Sequence, residues 1–369
     1  MTRFVGLASL TLLTALGCSG KLDLGHDVQS GVTGNNPKIT PDAGDGDAAT
    51  IPVISAVPTP ATCVGIPCFR GPINDVATST GAAKGLTMDV DNVFWAATAG
   101  DAVMITPRDG SMTMGVETAN GGPFRVAEND TTVFFTSADG GYVASFPKTS
   151  RATHAPKIPI LVTVLVSGEP QPESLLVADE GIYFADQLAG TLKLSALDGS
   201  SVKTLVTGLS TGVELALDDR AVYYVDSGAG EIHALDRTTG VNTLLASGRE
   251  HPVAPALRGD QLFFLELGTE AMDYNDGRLL RMPSAGGTVD VLLDNLDAPN
   301  GLAADTAGIY LCTRGTTENG FKGKIVRLGD DGEVATLAVG QAEPFAIAVD
   351  GDAVFWTTDA DNTLHSIDR

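Results

Sequence analysis

The chain has 369 residues, of which 43 are glycine, 19 are proline and 43% are hydrophobic. This composition provides a real core but favours many short elements joined by turns over long helices. The formal net charge of −23 argues against nucleic acid as a partner, because its phosphates would be repelled. An acidic surface fits a soluble exported protein or a binder of cations.

The N-terminus has the pattern of a bacterial signal peptide. A basic residue precedes an apolar run from Phe4 to Leu16, which is too short to span a bilayer. The run ends in Ala-Leu-Gly-Cys18 and resembles the lipobox of bacterial lipoproteins, although leucine stands one place later than usual. We therefore expect residues 1–17 to be removed. The small residues before Cys18 also suit an ordinary cleavage site, so both readings stay open.

The lipobox resemblance implies that Cys18 carries acyl chains, which hold the protein at a membrane. The next residue is Ser19, where lipoproteins retained in the inner membrane often have aspartate. We therefore expect an outer-membrane lipoprotein that faces the periplasm or the cell surface.

A linker and a small cysteine loop are predicted before the folded domain. Residues 18–62 lack apolar periodicity and are rich in Gly, Asp, Pro, Asn and Ala, which is typical of a flexible linker. Within residues 63–72, Cys63 and Cys68 are close enough to form a small disulfide ring in an oxidising compartment. Cys312 lies in an apolar strand, where a thiol acts as a small hydrophobe.

Residues 73–369 contain seven copies of one pattern, an aliphatic residue followed by one or two aromatic residues. Successive copies start 40 to 49 residues apart, which is the length of one four-stranded propeller blade. The copies are Val93-Phe-Trp95, Val133-Phe-Phe135, Ile182-Tyr-Phe184, Val222-Tyr-Tyr224, Leu262-Phe-Phe264, Ile309-Tyr-Leu311 and Val354-Phe-Trp356.

The flanks of these runs align without gaps. Five of the seven runs have a proline ten residues before their first residue: Pro123, Pro172, Pro252, Pro299 and Pro344. An apolar strand and a polar turn separate the proline from each run, which indicates a hairpin. Two further strands follow in the first six copies, whereas the seventh has only one more.

A lone strand-like segment, Ile73 to Ser79, precedes the first copy. We expect it to supply the missing fourth strand of the last blade and so to close the ring, which removes the exposed sheet edges. The sequence therefore predicts an all-β, seven-bladed β-propeller of four-stranded antiparallel blades, closed by an N-terminal strand. We expect it to be a monomer.

Several copies resemble the YWTD and NHL repeats of extracellular propellers. Ile182-Tyr-Phe-Ala-Asp186 and Val222-Tyr-Tyr-Val-Asp226 follow the YWTD order of an aromatic pair and then an acid. The chain departs from that family in two respects, because YWTD propellers have six blades and four of these runs lack the acid. The resemblance implies a propeller fold that is shared by proteins of many functions.

A shorter segment, Ala298-Pro-Asn-Gly-Leu-Ala303, is similar to the Asn-Gly segment of gluconolactonase-type propellers. That resemblance implies that Asn300 is a ligand of a divalent metal ion at the channel mouth, and Glu173 occupies a position where a second ligand could stand. Lys84 and several apolar residues occupy the other equivalent positions and make a poor cation site. His251 is also expected near this mouth.

Two long loops between second and third strands belong to neighbouring blades, residues 268–277 and 314–323. Their clustered oxygens could hold Ca²⁺, and their aromatic rings could stack on a sugar or a peptide. The alternative is two solvated insertions without a site. The candidate ligand-binding residues are Glu270, Asp273, Tyr274, Asp276, Glu318, Asn319 and Phe321.

The sequence thus favours a cell-envelope lipoprotein that binds protein, peptide or glycan, or serves as a scaffold, through the loop face of a propeller. The alternative is an extracytoplasmic metal-dependent lactonase, hydrolase or lyase with its site at the channel mouth. No catalytic residue is identified, since no triad order or phosphate loop is present.

Overall fold

In the computed structural model, which describes residues 73–118, 121–148 and 161–369, the chain forms seven four-stranded antiparallel sheets arranged in a ring. It is a seven-bladed β-propeller, as the repeat pattern predicts. In each blade the first strand lies at the central channel and the fourth at the outside. No helix in these ranges is long and apolar enough to cross a membrane.

The strands of the blades follow in chain order. Blade 1 consists of β2 (Ala83–Met88), β3 (Asn92–Ala97), β4 (Ala102–Pro107) and β5 (Met114–Glu117). Blade 2 consists of β6 (Pro123–Glu128), β7 (Thr132–Ser137), β8 (Tyr142–Pro147) and β9 (Thr163–Ser167). Blade 3 consists of β10 (Pro172–Ala178), β11 (Gly181–Asp186), β12 (Thr191–Ser195) and β13 (Val202–Thr207). Blade 4 consists of β14 (Val213–Leu217), β15 (Ala221–Asp226), β16 (Glu231–Asp236) and β17 (Asn242–Ala246).

Blade 5 consists of β18 (Pro252–Arg258), β19 (Gln261–Glu266), β20 (Gly277–Pro283) and β21 (Asp290–Leu296). Blade 6 consists of β22 (Pro299–Asp305), β23 (Gly308–Thr313), β24 (Lys322–Leu328) and β25 (Val334–Ala342). Blade 7 consists of β26 (Pro344–Val349), β27 (Ala353–Thr358), β28 (Thr363–Asp368) and the N-terminal β1 (Asn74–Thr78). The described ranges also contain three 3₁₀ turns, Thr98–Gly100, Glu270–Met272 and Thr317–Asn319.

The ring is closed by β1, which pairs antiparallel with β28 from Asn74 opposite Ser366 to Thr78 opposite Thr363. Val76 and Ala77 of this strand pack against the buried cluster that contains Trp95. The predicted closure by an N-terminal strand is confirmed.

The second-strand aromatic residues fill the space between blades. Phe94 of blade 1 shares a buried cluster with Phe135 of blade 2, and Tyr310 of blade 6 shares one with Trp356 of blade 7. Large rings remove the most apolar area from water, and this explains why the aromatic runs recur once per blade. Cys312 is fully buried among them in β23, as predicted.

Cations clamp neighbouring blades together on the face opposite the long loops. Arg237, which directly follows the third strand of blade 4, makes two hydrogen bonds of 2.7 and 2.6 Å to Glu180 of blade 3. The Tyr183 hydroxyl also donates to Glu180. Arg237 lowers the pKa of Glu180 to about 2, so the carboxylate stays ionised in mild acid. Arg108, Lys148 and Arg369 hold equivalent positions and each pairs with a carboxylate of the preceding blade.

Candidate functional site

The loops between second and third strands open on one side of the ring, together with the connections that enter each first strand. We call this side the loop face, and we call residues 268–277 and 314–323 together the ridge. Each ridge loop contains one 3₁₀ turn that ends in a left-handed residue, Asp273 with φ 51° and Gly320 with φ 67°. The ridge belongs to blades 5 and 6, so the two long loops lie on neighbouring blades.

A single carboxylate joins the two ridge loops. Oδ2 of Asp273 accepts a hydrogen bond of 3.0 Å from the backbone N–H of Thr317, and the hydroxyl of Thr317 donates to the same oxygen. The backbone of Tyr274 also accepts a hydrogen bond of 2.8 Å from Ala298 N–H, next to the first strand of blade 6. The ridge is therefore one connected surface instead of two independent insertions.

Two of the predicted ligand-binding residues hold their own loop together. Asp276 accepts hydrogen bonds from the N–H and the hydroxyl of Thr269, at 2.7 and 2.9 Å. Oδ1 of Asn319 accepts from the N–H groups of Thr316 and Lys322, at 2.9 and 3.1 Å. These oxygens bind groups of their own loops, and they stiffen the ridge more than they offer ligands to a cation.

The side chains displayed at the tip of the ridge are acidic and apolar. Glu270 and Glu318 are exposed. Phe321 is 42% exposed and Met272 is 57% exposed, although both are large and apolar. Tyr274 is half-buried beneath them. Met272 was missed by the sequence reasoning, and a large apolar residue inside an otherwise polar insertion was the available signal.

The predicted metal-binding residues lie in different local environments at the channel mouth. Asn300 is buried, and its Nδ2 donates a hydrogen bond of 3.0 Å to the carbonyl of Phe345. Oε1 of Glu173 accepts a hydrogen bond of 2.6 Å from Gln171. Burial raises the pKa of Glu173, an effect that the nearby Arg125 partly opposes.

The rest of the mouth adds positive charge. Lys84 is buried, pairs with Asp359 and lies 4.4 Å above the ring of Phe345. His251 is exposed. Within the part of the chain that the structure describes, no three His, Cys, Asp or Glu side chains are grouped so that they could hold a metal ion.

An ion pair that the sequence reasoning missed connects non-adjacent blades across the channel. Nη2 of Arg125 in blade 2 lies 2.7 Å from Oε1 of Glu214 in blade 4. The other carboxylate oxygen accepts a hydrogen bond of 2.8 Å from Ala254 N–H in blade 5. Arg125 also lies over the rings of Phe124 and Phe345, at 5.7 and 5.3 Å. Charged residues within otherwise apolar first strands were the signal for this pair.

The lipid-attachment residue Cys18 and the cysteines of the predicted disulfide, Cys63 and Cys68, lie outside the described residues. The predicted signal peptide, linker and cysteine loop lie there as well.

Comparisons with known proteins support the fold. No protein-family model matches the sequence, and neither does any curated protein. Among solved structures, virginiamycin B lyase from Staphylococcus aureus is similar with a TM-score of 0.65 and 14% identity, over 81% of this chain and 98% of that chain. U3-55K is similar with a TM-score of 0.61 and 11% identity, over 80% of this chain and 98% of that chain.

A chain in the nidogen/laminin complex is similar with a TM-score of 0.50 and 19% identity, over 64% of this chain and 89% of that chain. These identities are low enough that the likeness concerns the fold alone. The neighbours include both a lyase and a binding-type propeller, and one fold that carries several functions is typical of propellers.

Proposed function

We propose that this protein is an exported, lipid-anchored binding module of the cell envelope, and that it engages a protein partner through the ridge. The observation that carries the proposal is the pair of hydrogen bonds from Thr317 to Asp273, which joins two neighbouring loops into one surface. Preorganised loops lose less conformational entropy on binding than independent ones.

The chemistry of the ridge indicates the kind of partner. Glu270 and Glu318 present negative charge beside the exposed side chains of Met272 and Phe321. A segment that combines basic and apolar side chains complements this surface, because apolar anchors supply affinity while charges supply orientation. The net charge of −23 also steers basic partners towards the molecule.

We expect a photo-crosslinking side chain placed at Phe321 or Met272 to capture one defined envelope protein in living cells. The matched control is the same crosslinker at Val241, which is 60% exposed but lies in a turn on the opposite face. The purified partner should then lose at least about tenfold in affinity for a Glu270→Lys, Glu318→Lys variant, since each tenfold step corresponds to about 1.4 kcal/mol. The same captured bands at Val241 and at Phe321 would contradict the proposal.

The anchor is tested separately. We expect cells that are fed a radioactive fatty acid to label the protein, and we expect the label to disappear in Cys18→Ser, because the thiol is the acceptor in the lipobox pattern. The unlabelled variant should leave the membrane fraction, since acyl chains provide the attachment. A Cys18→Ser protein that still carries the label refutes the assignment.

The metal-dependent enzyme that the sequence left as an alternative receives less support from the channel mouth. Asn300 donates a hydrogen bond to Phe345, and Glu173 accepts one from Gln171. Lys84 occupies another equivalent position and pairs with Asp359, so an ammonium group stands there in place of an oxygen ligand.

A further inference from the structure

The central channel contains a solvent-open cavity of about 300 Å³ that the first strands of all seven blades line. Small-molecule sites in proteins range from about 300 to 1,000 Å³ and combine an apolar wall with a few placed polar groups. First-strand residues line this cavity, but the side chains of its aliphatic residues, such as Val126 and Leu215, pack in the clusters between blades, so the exposed lining is mixed polar and apolar. The volume suits a small ligand.

The cavity also has one charged pair, Arg125 and Glu214, and both side chains line it. Within the described residues, the Arg125 guanidinium makes one hydrogen bond, from Nη2 to Glu214, although it carries five N–H donors. Each oxygen of Glu214 accepts one hydrogen bond, whereas a carboxylate has about four acceptor sites. Arg125 therefore has further N–H donors for a ligand, and Glu214 has further acceptor sites.

The charges at this end of the channel are separated by blade. The cations, Lys84 and Arg125, come from blades 1 and 2, and the carboxylates, Glu173 and Glu214, come from blades 3 and 4. Lys84 is neutralised by Asp359, so Arg125 is the cation that lines the cavity. Burial raises the pKa of Glu173, because desolvation disfavours its charged form more than the nearby Arg125 stabilises it.

We propose that the channel binds an α-amino acid zwitterion. The ligand carboxylate accepts hydrogen bonds from Arg125, and its ammonium group donates to Glu214. A single ligand charge of either sign would face one unfavourable partner in the Arg125–Glu214 pair, whereas a zwitterion complements both. This inference concerns the channel and is independent of the ridge.

Titration calorimetry of the full chain tests the proposal with three probes of similar size and one dipeptide. L-Leucine should bind with a Kd of about 1 mM or tighter, which corresponds to −4.1 kcal/mol. 4-Methylpentanoate lacks the ammonium and isopentylamine lacks the carboxylate, so both should bind at least about tenfold more weakly. Leucyl-leucine distinguishes a free amino acid from a short peptide, because it separates the two charges. Tighter binding of the dipeptide overturns the assignment to a free amino acid.

Substitutions locate the site. Arg125→Gln and Glu214→Gln should each weaken L-leucine binding at least about tenfold. Lys193→Gln is the matched control, since Lys193 pairs with Glu169 outside the residues that line the cavity. Thermal melts show whether each variant is folded, and the comparison of the four probes does not depend on any variant. Equal affinity for all four probes, or no binding of L-leucine, overturns the proposal.

Discussion

A chain that begins at Thr80, and therefore lacks β1, should lose at least about 3 kcal/mol of unfolding free energy relative to one that begins at Ile73. That is the scale of deleting one large buried side chain. Without β1, blade 7 has three strands and the edge of β28 is open. Open edges invite pairing between molecules, so we also expect the shorter chain to aggregate.

The loss arises from several contacts that β1 makes at once. Val76 and Ala77 leave the cluster that contains Trp95, and Asp75 leaves the ring of His365. His365 is buried, lies 2.9 Å from Asp75 through Nδ1 and stacks on Trp356. Without Asp75, Nδ1 of His365 exchanges this hydrogen bond for one to water at the newly opened edge, which adds a smaller share of the loss.

Urea unfolding followed by tryptophan fluorescence measures the difference, and size-exclusion chromatography detects the aggregates. A synthetic peptide of residues 73–79 should restore the melting temperature of the shorter chain by adding back the missing strand. A scrambled peptide of the same composition is the control. Equal stability of the two chains, with or without the peptide, would show that β1 does not contribute to closure.

The architecture could be predicted because each blade repeats the same physical requirement. An aromatic run that fills the space between blades recurs once per copy, and the lone strand before the first copy matches the missing strand of the last. The aligned prolines begin first strands, as Pro299 and Pro344 do in β22 and β26. The fold could therefore be predicted from the sequence because its pattern is repeated seven times.

The candidate site could be predicted only in part. Neighbouring blades place their long loops side by side, so the position of the ridge follows from the repeat. The hydrogen-bond partner of each side-chain oxygen does not follow from the repeat. Asp276 and Asn319 bind backbone N–H groups of turns, and the composition does not specify the conformation of those turns. The pair of Arg125 and Glu214 spans two blades, and such a contact becomes visible only when the ring is built.

Gly323→Ala should destabilise the protein by about 3 kcal/mol, at the upper end of the usual range for overpacking. An added Cβ at Gly323 would lie 1.8 Å from the carbonyl oxygen of Thr313 and 2.7 Å from Cδ of Pro344. Neither backbone nor proline ring can rotate away. The proline that begins blade 7 therefore packs directly on a glycine of blade 6, and the methyl group would force the two blades apart.

Urea unfolding of Gly351→Ala provides the control, because no atom lies within 4 Å of a Cβ at that position. This variant should be unchanged or slightly more stable, since alanine restricts the unfolded chain. Blade 5 offers a second test, because a Cβ at Gly277 would lie 2.3 Å from Cδ of Pro299. If Gly277→Ala and Gly323→Ala both unfold at the urea concentration of Gly351→Ala, a glycine is not required at these positions for the following proline to pack. If both are destabilised, the two glycines are needed to leave room for Pro299 and Pro344, and at Gly323 for the Thr313 carbonyl as well.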